Sequence, residues 1–281
     1  MESYVSGITG IDKRPYTIVL GNTKGGTGKS TLAMHLSVAL MRMGYRVGTM
    51  DLDGVQGTLS RYLAHRFAHA ESRGDRLPMP IHIRVQPAEL DQVQSSEAEE
   101  RRRLRAAFQD VAGVDFVVMD TPGSDTLLTR LGHACADTLI TPLNDSLVDI
   151  DVLAQIDAQK RHVLGPSIYT RMVWELTNSR IAANDAPIDW IVVRNRLGHI
   201  GARNMLDVTH LMEKLAARIG FRLAPGLGER VIFRELFLSG LTIFDLDLQA
   251  DDRGNASRLA ARQEIIDLLS TIGVATEARA A

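Results

Sequence analysis

The stretch "LGNTKGGTGKSTLAMHL", residues 20–36, joins the end of an apolar run to a segment with apolar residues at helical spacing. The run "YTIVLGN" (16–22) predicts a buried strand, and residues 29–43 predict a helix that ends near Gly44. The glycines between them let the backbone approach an anion at the start of the helix. Strand, glycine-rich loop, Gly-Lys-Ser and helix together predict a phosphate-binding loop.

Two lysines, Lys24 and Lys29, lie in this loop, although the whole chain of 281 residues has few lysines. An ammonium group is a compact charge that suits phosphate oxygens. We expect Lys29 to contact the β- and γ-phosphates of a nucleotide and Ser30 to bind Mg²⁺. Where the usual loop pattern has its first glycine, this chain has Thr23. The nucleotide-binding residues predicted from the loop are Lys24, Gly25, Gly26, Thr27, Gly28, Lys29, Ser30 and Thr31.

Acidic residues end two further predicted strands, "YRVGTMDLD" and "VDFVVMDTPG". Because ligands of open α/β sheets bind beyond the carboxyl ends of the strands, these carboxylates should meet the loop at one edge. Mg²⁺ keeps several waters when it binds to proteins. We therefore expect Asp51 and Asp120 to hold Mg²⁺ through water and Asp53 to position the attacking water. The N–H of Gly123 should donate to the γ-phosphate.

Strands alternate with helices along the whole chain, which is typical of a parallel sheet that is covered on both faces. The predicted fold class is α/β, with one doubly wound, mostly parallel sheet. A single domain should span residues 15–272, after a flexible N-terminus at 1–14 and before a frayed tail at 273–281. Residues 147–160 predict a helix. Within 161–188, "SIYTRMVWEL" (167–176) fits a strand or a helix, and "NSRIAANDAP" (178–187) predicts an exposed loop.

Composition excludes several classes of protein. The chain is 45% hydrophobic and 23% charged with a net charge of −2, so it is not a wholly basic nucleic-acid binder. No apolar run approaches the ~18 residues of a membrane helix. The single cysteine, Cys135, excludes an internal disulfide and favours the cytoplasm. It also argues against a reductase that holds an iron–sulfur cluster between subunits, since that needs two cysteines per subunit.

The segment "KGGTGKST" (24–31) resembles the deviant Walker A motif of the ParA/MinD superfamily of P-loop ATPases. The "DLD" and "DTPG" elements fall where that superfamily has its two switch regions. Within it, "TPLNDS" (141–146), "DWIVVRNRL" (189–197) and "GERVIFRELFLSGLTIFDL" (228–246) resemble the MipZ family, whose members position the division plane. The resemblance runs across most of residues 16–270.

The resemblance implies a slow ATP hydrolase that uses ATP and Mg²⁺ and forms a homodimer only when ATP is bound. Lys24 would contact the nucleotide of the partner subunit, Lys29 its own, and Asp53 would be needed for hydrolysis. Asn195 would read adenine, since an amide donates and accepts at once. The implied protein binds DNA non-specifically, inhibits FtsZ assembly and is recruited by ParB. It would be cytoplasmic and nucleoid-associated, without membrane binding.

Residues 194–234 give partial support for the DNA-binding role, because they contain more basic than acidic side chains. Side chains on one face of the predicted helix 202–219 can contact phosphates together. The DNA contacts predicted on this basis are Arg194, Arg203, Lys214, Arg218, Arg222 and Arg230. The run "RRRLR" (101–105) follows "EAEE" and instead predicts a solvated helix face.

Three other functions fit the same fold. A ParA-type chromosome or plasmid partition ATPase differs from the predicted switch in its partners. An ATP-dependent carboxylate ligase would need a small-molecule pocket beside the γ-phosphate. A MinD-type membrane ATPase would end in a basic amphipathic helix, but residues 256–272 mix acidic and basic side chains on their polar face. That mixture favours a helix docked on the sheet.

Overall fold

The computed structural model describes residues 4–11, 14–88, 93–157, 162–198, 202–247 and 253–274. The first half of the chain forms α1 (Tyr4–Thr9), β1 (Tyr16–Leu20), α2 (Lys29–Arg42), β2 (Val47–Asp51), α3 (Thr58–Arg73), β3 (Ile81–Arg84), α4 (Val93–Asp110), β4 (Phe116–Asp120), α5 (Leu127–Ala134) and β5 (Thr138–Asn144). The second half forms α6 (Leu147–Ile150), β6 (Ala154–Asp157), β7 (His162–Pro166), α7 (Ile168–Ala182), β8 (Asp189–Asn195), α8 (Ala202–Ile219), β9 (Arg222–Ala224), α9 (Ile232–Ser239) and α10 (Arg253–Ile272).

Seven parallel strands form the central sheet in the order β3-β2-β4-β1-β5-β8-β9. Strand β1 lies in the middle, and its last residue, Leu20, pairs with Asp120 of β4. Asp120 in turn pairs with Asp51 of β2. The register therefore brings the phosphate-binding loop and two of the predicted acidic residues to one edge of the sheet, as expected for a doubly wound fold.

The core lies on both faces of the sheet because successive side chains of each buried strand point in opposite directions. In β1, Ile18 and Leu20 pack among residues of α2, α3 and α10, whereas Val19 packs among residues of α4, α5 and α7. This two-sided burial confirms the predicted fold class. No helix in the described ranges is long and apolar enough to cross a membrane.

The N-terminal region differs from the predicted flexible segment, because residues Tyr4–Thr9 form helix α1. Val5 and Ile8, which are three residues apart, are both buried against the core. The backbone N–H of Val5 donates to the Asp185 carboxylate at 3.0 Å, which fixes the start of this helix. Apolar residues at helical spacing therefore hold a segment that composition alone predicts to be loose. Of the predicted frayed tail, only Gly273 and Val274 are described.

The prediction of a helix over 147–160 is wrong beyond its first turn. Helix α6 ends at Ile150, and β6 and β7 then form an antiparallel two-stranded sheet beside the main one. Val152 and Leu153 form a buried turn, in which their N–H groups donate to the carbonyls of Asp149 and Ile150, and the chain becomes extended from Ala154. Residues 158–160 lie outside the described ranges.

Helices α7 and α5 each begin at a hydroxyl side chain. Helix α7 covers the segment whose sequence fits a strand or a helix, and it continues to Ala182. Ser167 caps this helix by accepting from the Thr170 N–H at 3.0 Å. Helix α5, which the sequence does not predict, begins in the same way, with the Thr126 hydroxyl accepting from the Thr129 N–H at 3.2 Å. In both cases the hydroxyl satisfies a backbone donor that the first helical turn leaves free.

Candidate nucleotide site

The loop between β1 and α2 depends on glycine at two positions with left-handed backbone conformation. Gly26 has φ of +72° and Gly28 has φ of +93°, values that other residues rarely adopt. A Cβ atom at Gly28 would also lie 2.4 Å from Nδ2 of Asn195. The glycines thus let the loop curl tightly into the N-terminus of α2, where free N–H groups and the helix dipole favour an anion.

Lys29 starts helix α2 and is almost buried, with 8% of its surface exposed. Its ammonium donates to the carbonyl of Lys24 at 3.1 Å and forms no ion pair with any carboxylate of the described residues. Burial lowers the pKa of Lys29, while the nearby Asp120 and Asp53 carboxylates oppose that shift. Since an ammonium has three donors, this one keeps hydrogen-bonding capacity for phosphate oxygens.

Thr27 supplies a second sign that the loop is built for an anion. Its hydroxyl is buried and has no hydrogen-bond partner among the residues that the structure describes. Buried polar atoms usually have a hydrogen-bond partner, so an unpaired buried hydroxyl indicates a site for a ligand or water. A hydroxyl, an ammonium and free backbone donors at one helix N-terminus fit a polyphosphate.

Asp120 lies at the end of β4 and is 2% exposed. Burial raises its pKa to about 7, an effect that a hydrogen bond from Ser30 opposes and the Asp51 carboxylate reinforces. Ser30 and Asp120 are thus in contact, as a shared Mg²⁺ site would require. A divalent cation would favour the charged form of Asp120, and a hydroxyl with a carboxylate is a donor set that Mg²⁺ accepts beside phosphates.

The loop after β2, residues 52–57, is called switch I below, and the loop after β4, residues 121–126, switch II. At the start of switch I, the carboxylate of Asp51, the last residue of β2, accepts from the N–H of Asp53 at 3.1 Å and from the N–H and hydroxyl of Ser60 at 2.9 and 2.7 Å. Asp53 is half-buried, and its carboxylate accepts from the Gln56 N–H at 3.1 Å. The two aspartates therefore have different surroundings, as expected from their alternation.

Switch II approaches the phosphate-binding loop through Gly123. A Cβ atom there would lie 3.2 Å from the backbone nitrogen of Gly25 and 3.3 Å from the carbonyl carbon of Lys24. Such a close approach leaves little room for a side chain. It puts the Gly123 backbone beside the glycine-rich loop, where its predicted contact with a γ-phosphate would have to occur.

The Lys24 side chain points away from Lys29 toward α6. Its ammonium forms an ion pair with Asp149 at 3.1 Å and donates to the Val148 carbonyl. The lysine side chain is 33% exposed. Contact with the nucleotide of a partner subunit stays a prediction, and it requires Lys24 to leave Asp149.

Asn195 ends β8 beside the phosphate-binding loop. Its Nδ2 donates to the Thr27 carbonyl at 2.8 Å, and its Oδ1 accepts from the Arg196 N–H at 2.9 Å. It also lines a cavity of about 250 Å³ together with Thr31, Leu227 and Phe233. The cavity lies next to the predicted phosphate site, where a base would lie, and the role of Asn195 in reading adenine stays a prediction.

The structure divides the predicted DNA contacts into paired and unpaired groups. Arg194 forms an ion pair with Asp145 and is 13% exposed, and Arg230 binds Glu264 and is 16% exposed. These ion pairs stabilise the fold, and contact of the two arginines with DNA stays a prediction. Arg222 is half exposed, but its Nε and Nη2 donate to the two carboxylate oxygens of Asp189, and its Nη1 donates to the Thr271 carbonyl.

The remaining predicted contacts lie on α8. Lys214 and Arg218 are exposed, four residues apart, and neither forms an ion pair with another described residue. The side chain of Arg203 lies outside the described part of the structure. The DNA-binding prediction therefore rests on Lys214 and Arg218.

Sequence reasoning missed three side chains around the site. Ser60, His82 and Asp149 contact Asp51, Ser60 and Lys24 respectively. Ser60 is the third residue of α3, after the N-cap position that Gly57 occupies, so its hydroxyl gives no capping signal. Nothing in "IHIRV" or "NDSLVDI" marks the other two, because their roles depend on contacts between segments far apart in the chain.

Comparison with known proteins gives the family. The model described as "ATPase MipZ" matches residues 16–276. Among curated relatives, the chromosome-partitioning ATPase Soj of Thermus thermophilus is 32% identical over 155 residues, covering 52% of this chain and 61% of that protein. The sporulation initiation inhibitor protein Soj of Bacillus subtilis is 26% identical over 161 residues, covering 50% and 62%. These alignments span less than two thirds of either relative.

Solved structures agree on the fold. An ATP complex of McdA from Cyanothece superposes with a TM-score of 0.62 at 16% identity, covering 94% of this chain and 98% of that one. The MinD cell division protein of Aquifex aeolicus gives 0.56 at 15% identity, covering 92% and 98%. The likeness to these structures places the sheet among ParA/MinD-type folds. With the family match across nearly all of the domain, the chain belongs to the MipZ family of ATPases.

Proposed function

We propose that this protein is a molecular switch that binds Mg²⁺-ATP, dimerises, hydrolyses the nucleotide slowly and returns to a monomer. One observation carries the proposal: the strand register brings Lys29, Ser30 and Asp120 to a single sheet edge. Lys29 and the N-terminus of α2 provide unused donors there, and Asp120 provides a buried carboxylate. Membership of an ATPase family supports the same conclusion.

Each group has a defined task in this proposal. The backbone donors of the glycine-rich loop, the Thr27 hydroxyl and the Lys29 ammonium bind the phosphates. Ser30 and Asp120 hold Mg²⁺, with Asp51 behind them. Mg²⁺, when bound, neutralises phosphate charge and fixes the phosphate geometry. Asp53 positions the attacking water, and its backbone is held in place by the carboxylate of Asp51.

Dimerisation places Lys24 at the nucleotide of the partner subunit. A cation supplied across an interface stabilises the charge that spreads over the transferring phosphoryl group. In the structure Lys24 is bound to Asp149. Because the Lys24 side chain is partly exposed, water screens this ion pair and the phosphates of a bound nucleotide can compete for the lysine.

The cellular role proposed for the switch is to position the division site. The dimer binds DNA without sequence preference through Lys214 and Arg218, inhibits FtsZ assembly and is recruited by ParB. Membership of the MipZ family supports these roles. The exposed positions of Lys214 and Arg218 on one helix support the DNA contact.

Chromosome or plasmid partition is the second candidate. It is favoured by the Soj protein of Thermus thermophilus, a chromosome-partitioning ATPase that aligns with about half of this chain. Both candidates share ATP-dependent dimerisation and DNA binding. They differ in whether the dimer acts on FtsZ.

The test starts with hydrolysis by the wild-type protein and by Asp53→Ala, each with and without Mg²⁺. We expect slow Mg²⁺-dependent hydrolysis by the wild type and a loss in the variant that leaves ATP binding intact. Absence of wild-type hydrolysis, or wild-type rates in Asp53→Ala, would contradict the proposal.

The cellular role is tested with the Asp53→Ala protein, random-sequence duplex DNA and a salt series. ATP-dependent binding that weakens steeply with salt supports the DNA contact. Adding the ATP-bound dimer to polymerising FtsZ then separates the two candidates. Shorter or fewer polymers indicate division-site positioning, whereas unchanged polymers favour partition.

A further inference from the structure

A chain of hydrogen bonds links the edge strand β3 to the acidic end of β2. His82 of β3 contacts the Thr49 hydroxyl through Nδ1 and the Ser60 hydroxyl through Nε2, each at 2.9 Å. The Ser60 hydroxyl continues the chain by donating to the Asp51 carboxylate at 2.7 Å. Thr49 and Asp51 are buried, so the chain is shielded from water at both ends.

The Asp51 carboxylate, at the end of this row of hydrogen bonds, fixes the direction of each of them. The Asp51 carboxylate accepts, so the single hydrogen of the Ser60 hydroxyl is used on it. Nε2 of His82 must therefore donate to Ser60. In a neutral ring Nδ1 is then the acceptor, and the Thr49 hydroxyl donates to it. The histidine is held in one tautomer and one orientation.

The surroundings of His82 favour the neutral ring. Burial lowers the pKa of His82 and the Arg84 guanidinium adds to that shift, while the Asp51 carboxylate and a hydrogen bond to the Thr49 backbone oppose it. A neutral histidine is the form that both donates and accepts, as the chain of bonds requires.

The far end of the chain reaches the residue proposed to position water. One Asp51 oxygen is bound by Ser60, and the other accepts from the N–H of Asp53. Strand β3 holds the same loop at further points. The Val85 N–H donates to the Asp51 carbonyl at 2.9 Å, and Arg84 donates to the Gly54 carbonyl at 2.6 Å.

We propose that His82 is a positioning residue for switch I: through Ser60 it orients the Asp51 carboxylate, which in turn fixes the backbone of Asp53. His82 contacts neither nucleotide nor water in this role. Its effect on rate rests on the proposed ATPase function. Its effect on the order of switch I does not, because every contact of the relay is between side chains and backbone of this chain.

Two substitutions separate the relay from simple packing. In His82→Gln the side-chain amide nitrogen can take the place of Nε2 and donate to Ser60. In His82→Asn the shorter amide reaches only the position of Nδ1 and contacts Thr49. Both variants are polar and close in size, so the readouts differ only if the bond to Ser60 matters.

The first readout is amide hydrogen exchange of residues 53–57 in the nucleotide-free protein. We expect faster exchange in His82→Asn and wild-type exchange in His82→Gln, because Asp53 loses its fixed acceptor only in the first variant. Equal exchange in all three proteins, or equal acceleration in both variants, would overturn the relay whether or not the protein hydrolyses ATP.

The second readout is steady-state hydrolysis. His82→Asn should lower kcat by about 10-fold with KM for ATP unchanged, since a small misplacement of a reacting group is costly. His82→Gln should retain most of kcat. A rise in KM with unchanged kcat in His82→Asn would contradict a positioning role, because it would mean that nucleotide binding was altered.

Ser60→Ala breaks the relay at its other member and guards against a His82 variant that fails to fold. It should reproduce the reduced kcat and the faster exchange of His82→Asn. Combining the two substitutions should add little, because members of one relay act as a unit. Reductions that multiply in the double variant would show two independent effects and reject the relay.

Discussion

Lys29 and Arg194 are both cations that the fold nearly buries, yet their partners differ. The Lys29 ammonium donates to one carbonyl and keeps donors for a ligand. The Arg194 guanidinium binds Asp145 and donates to the Thr209 hydroxyl at 2.8 Å. A buried cation whose charge is balanced inside the protein supports the fold. A nearly buried cation that lies at a helix N-terminus and has no such partner marks a site for an anion.

Replacing Lys29 should have the largest effect, because it removes a nearly buried cation that forms no ion pair within the described part of the chain. We expect Lys29→Ala to weaken ATP binding by about 100-fold, since a charge-assisted bond to phosphate is removed from a nearly dry site. Folding should be preserved or improved, because burial of the charge is itself unfavourable. Titration with a fluorescent ATP analogue and thermal melting measure the two effects.

Lys214→Ala is the matched control, since it also removes one lysine, but one that is exposed and far from Lys29 in the sequence. It should leave ATP affinity unchanged. Equally weakened binding in both variants would mean that overall charge, and not the position of Lys29, determines nucleotide binding.

Replacing Arg194 should give the opposite pattern. Arg194→Ala leaves Asp145 without its partner in a largely buried position, so the free energy of unfolding should fall by about 2 kcal/mol. Denaturant unfolding measures the decrease, and the variant Arg194→Ala/Asp145→Ala should recover part of it. If stability is unchanged while DNA affinity drops, Arg194 belongs to the DNA surface after all.

Asp120 is a buried anion, and its effect on stability can be compared with the effects of the two cations. Its pKa in the folded protein is about 7, raised mainly by burial from an ordinary value of 3.8. Ionisation of Asp120 therefore lowers the free energy of unfolding, and this loss is complete above pH 7. The loss becomes smaller as the pH falls and disappears below the pKa of an aspartate in the unfolded chain. Asp120→Asn should raise Tm by a few degrees at pH 8 and by less at pH 5.

Hydrolysis measured on the same Asp120→Asn protein completes the test. The gain in stability should be accompanied by loss of Mg²⁺-dependent hydrolysis, because the buried carboxylate serves the site and not the fold. A Tm difference that does not change with pH would contradict the raised pKa of Asp120.

The smallest effects should come from the unpaired cations on α8. Lys214→Ala and Arg218→Ala should each lower DNA affinity a few-fold at low salt and reduce the slope of log affinity against log salt by about 1, since each removes one phosphate-binding cation. Stability should not change, because both side chains are exposed. Arg101→Ala, at an exposed position of α4, serves as the control that leaves DNA binding unaltered.

The same contrast explains what the sequence could predict. Gly-Lys-Ser after an apolar strand specifies local backbone geometry, and parallel strands necessarily end at a common edge. The meeting of Lys29, Ser30, Asp120 and Gly123 therefore follows from motif and topology together. The order of the sheet confirms that part of the reasoning.

Partners that come from distant segments could not be predicted. Arg194 and Asp145 are 49 residues apart, and Arg230 and Glu264 are 34 apart, so a count of charges does not reveal that they pair. The β6–β7 hairpin was missed for a related reason. The buried residues Val152, Leu153 and Ala154, at its start, are consecutive, and a short apolar run fits a strand or a helix until its neighbours are known.

The molar mass of Asp53→Ala in solution shows whether nucleotide binding drives dimerisation. With Mg²⁺-ATP we expect twice the 30.9 kDa of the chain, and with Mg²⁺-ADP the mass of one chain. Adding Lys24→Ala should return the ATP-bound protein to the single mass. A single mass with both nucleotides, or a dimer that persists without Lys24, would contradict the account.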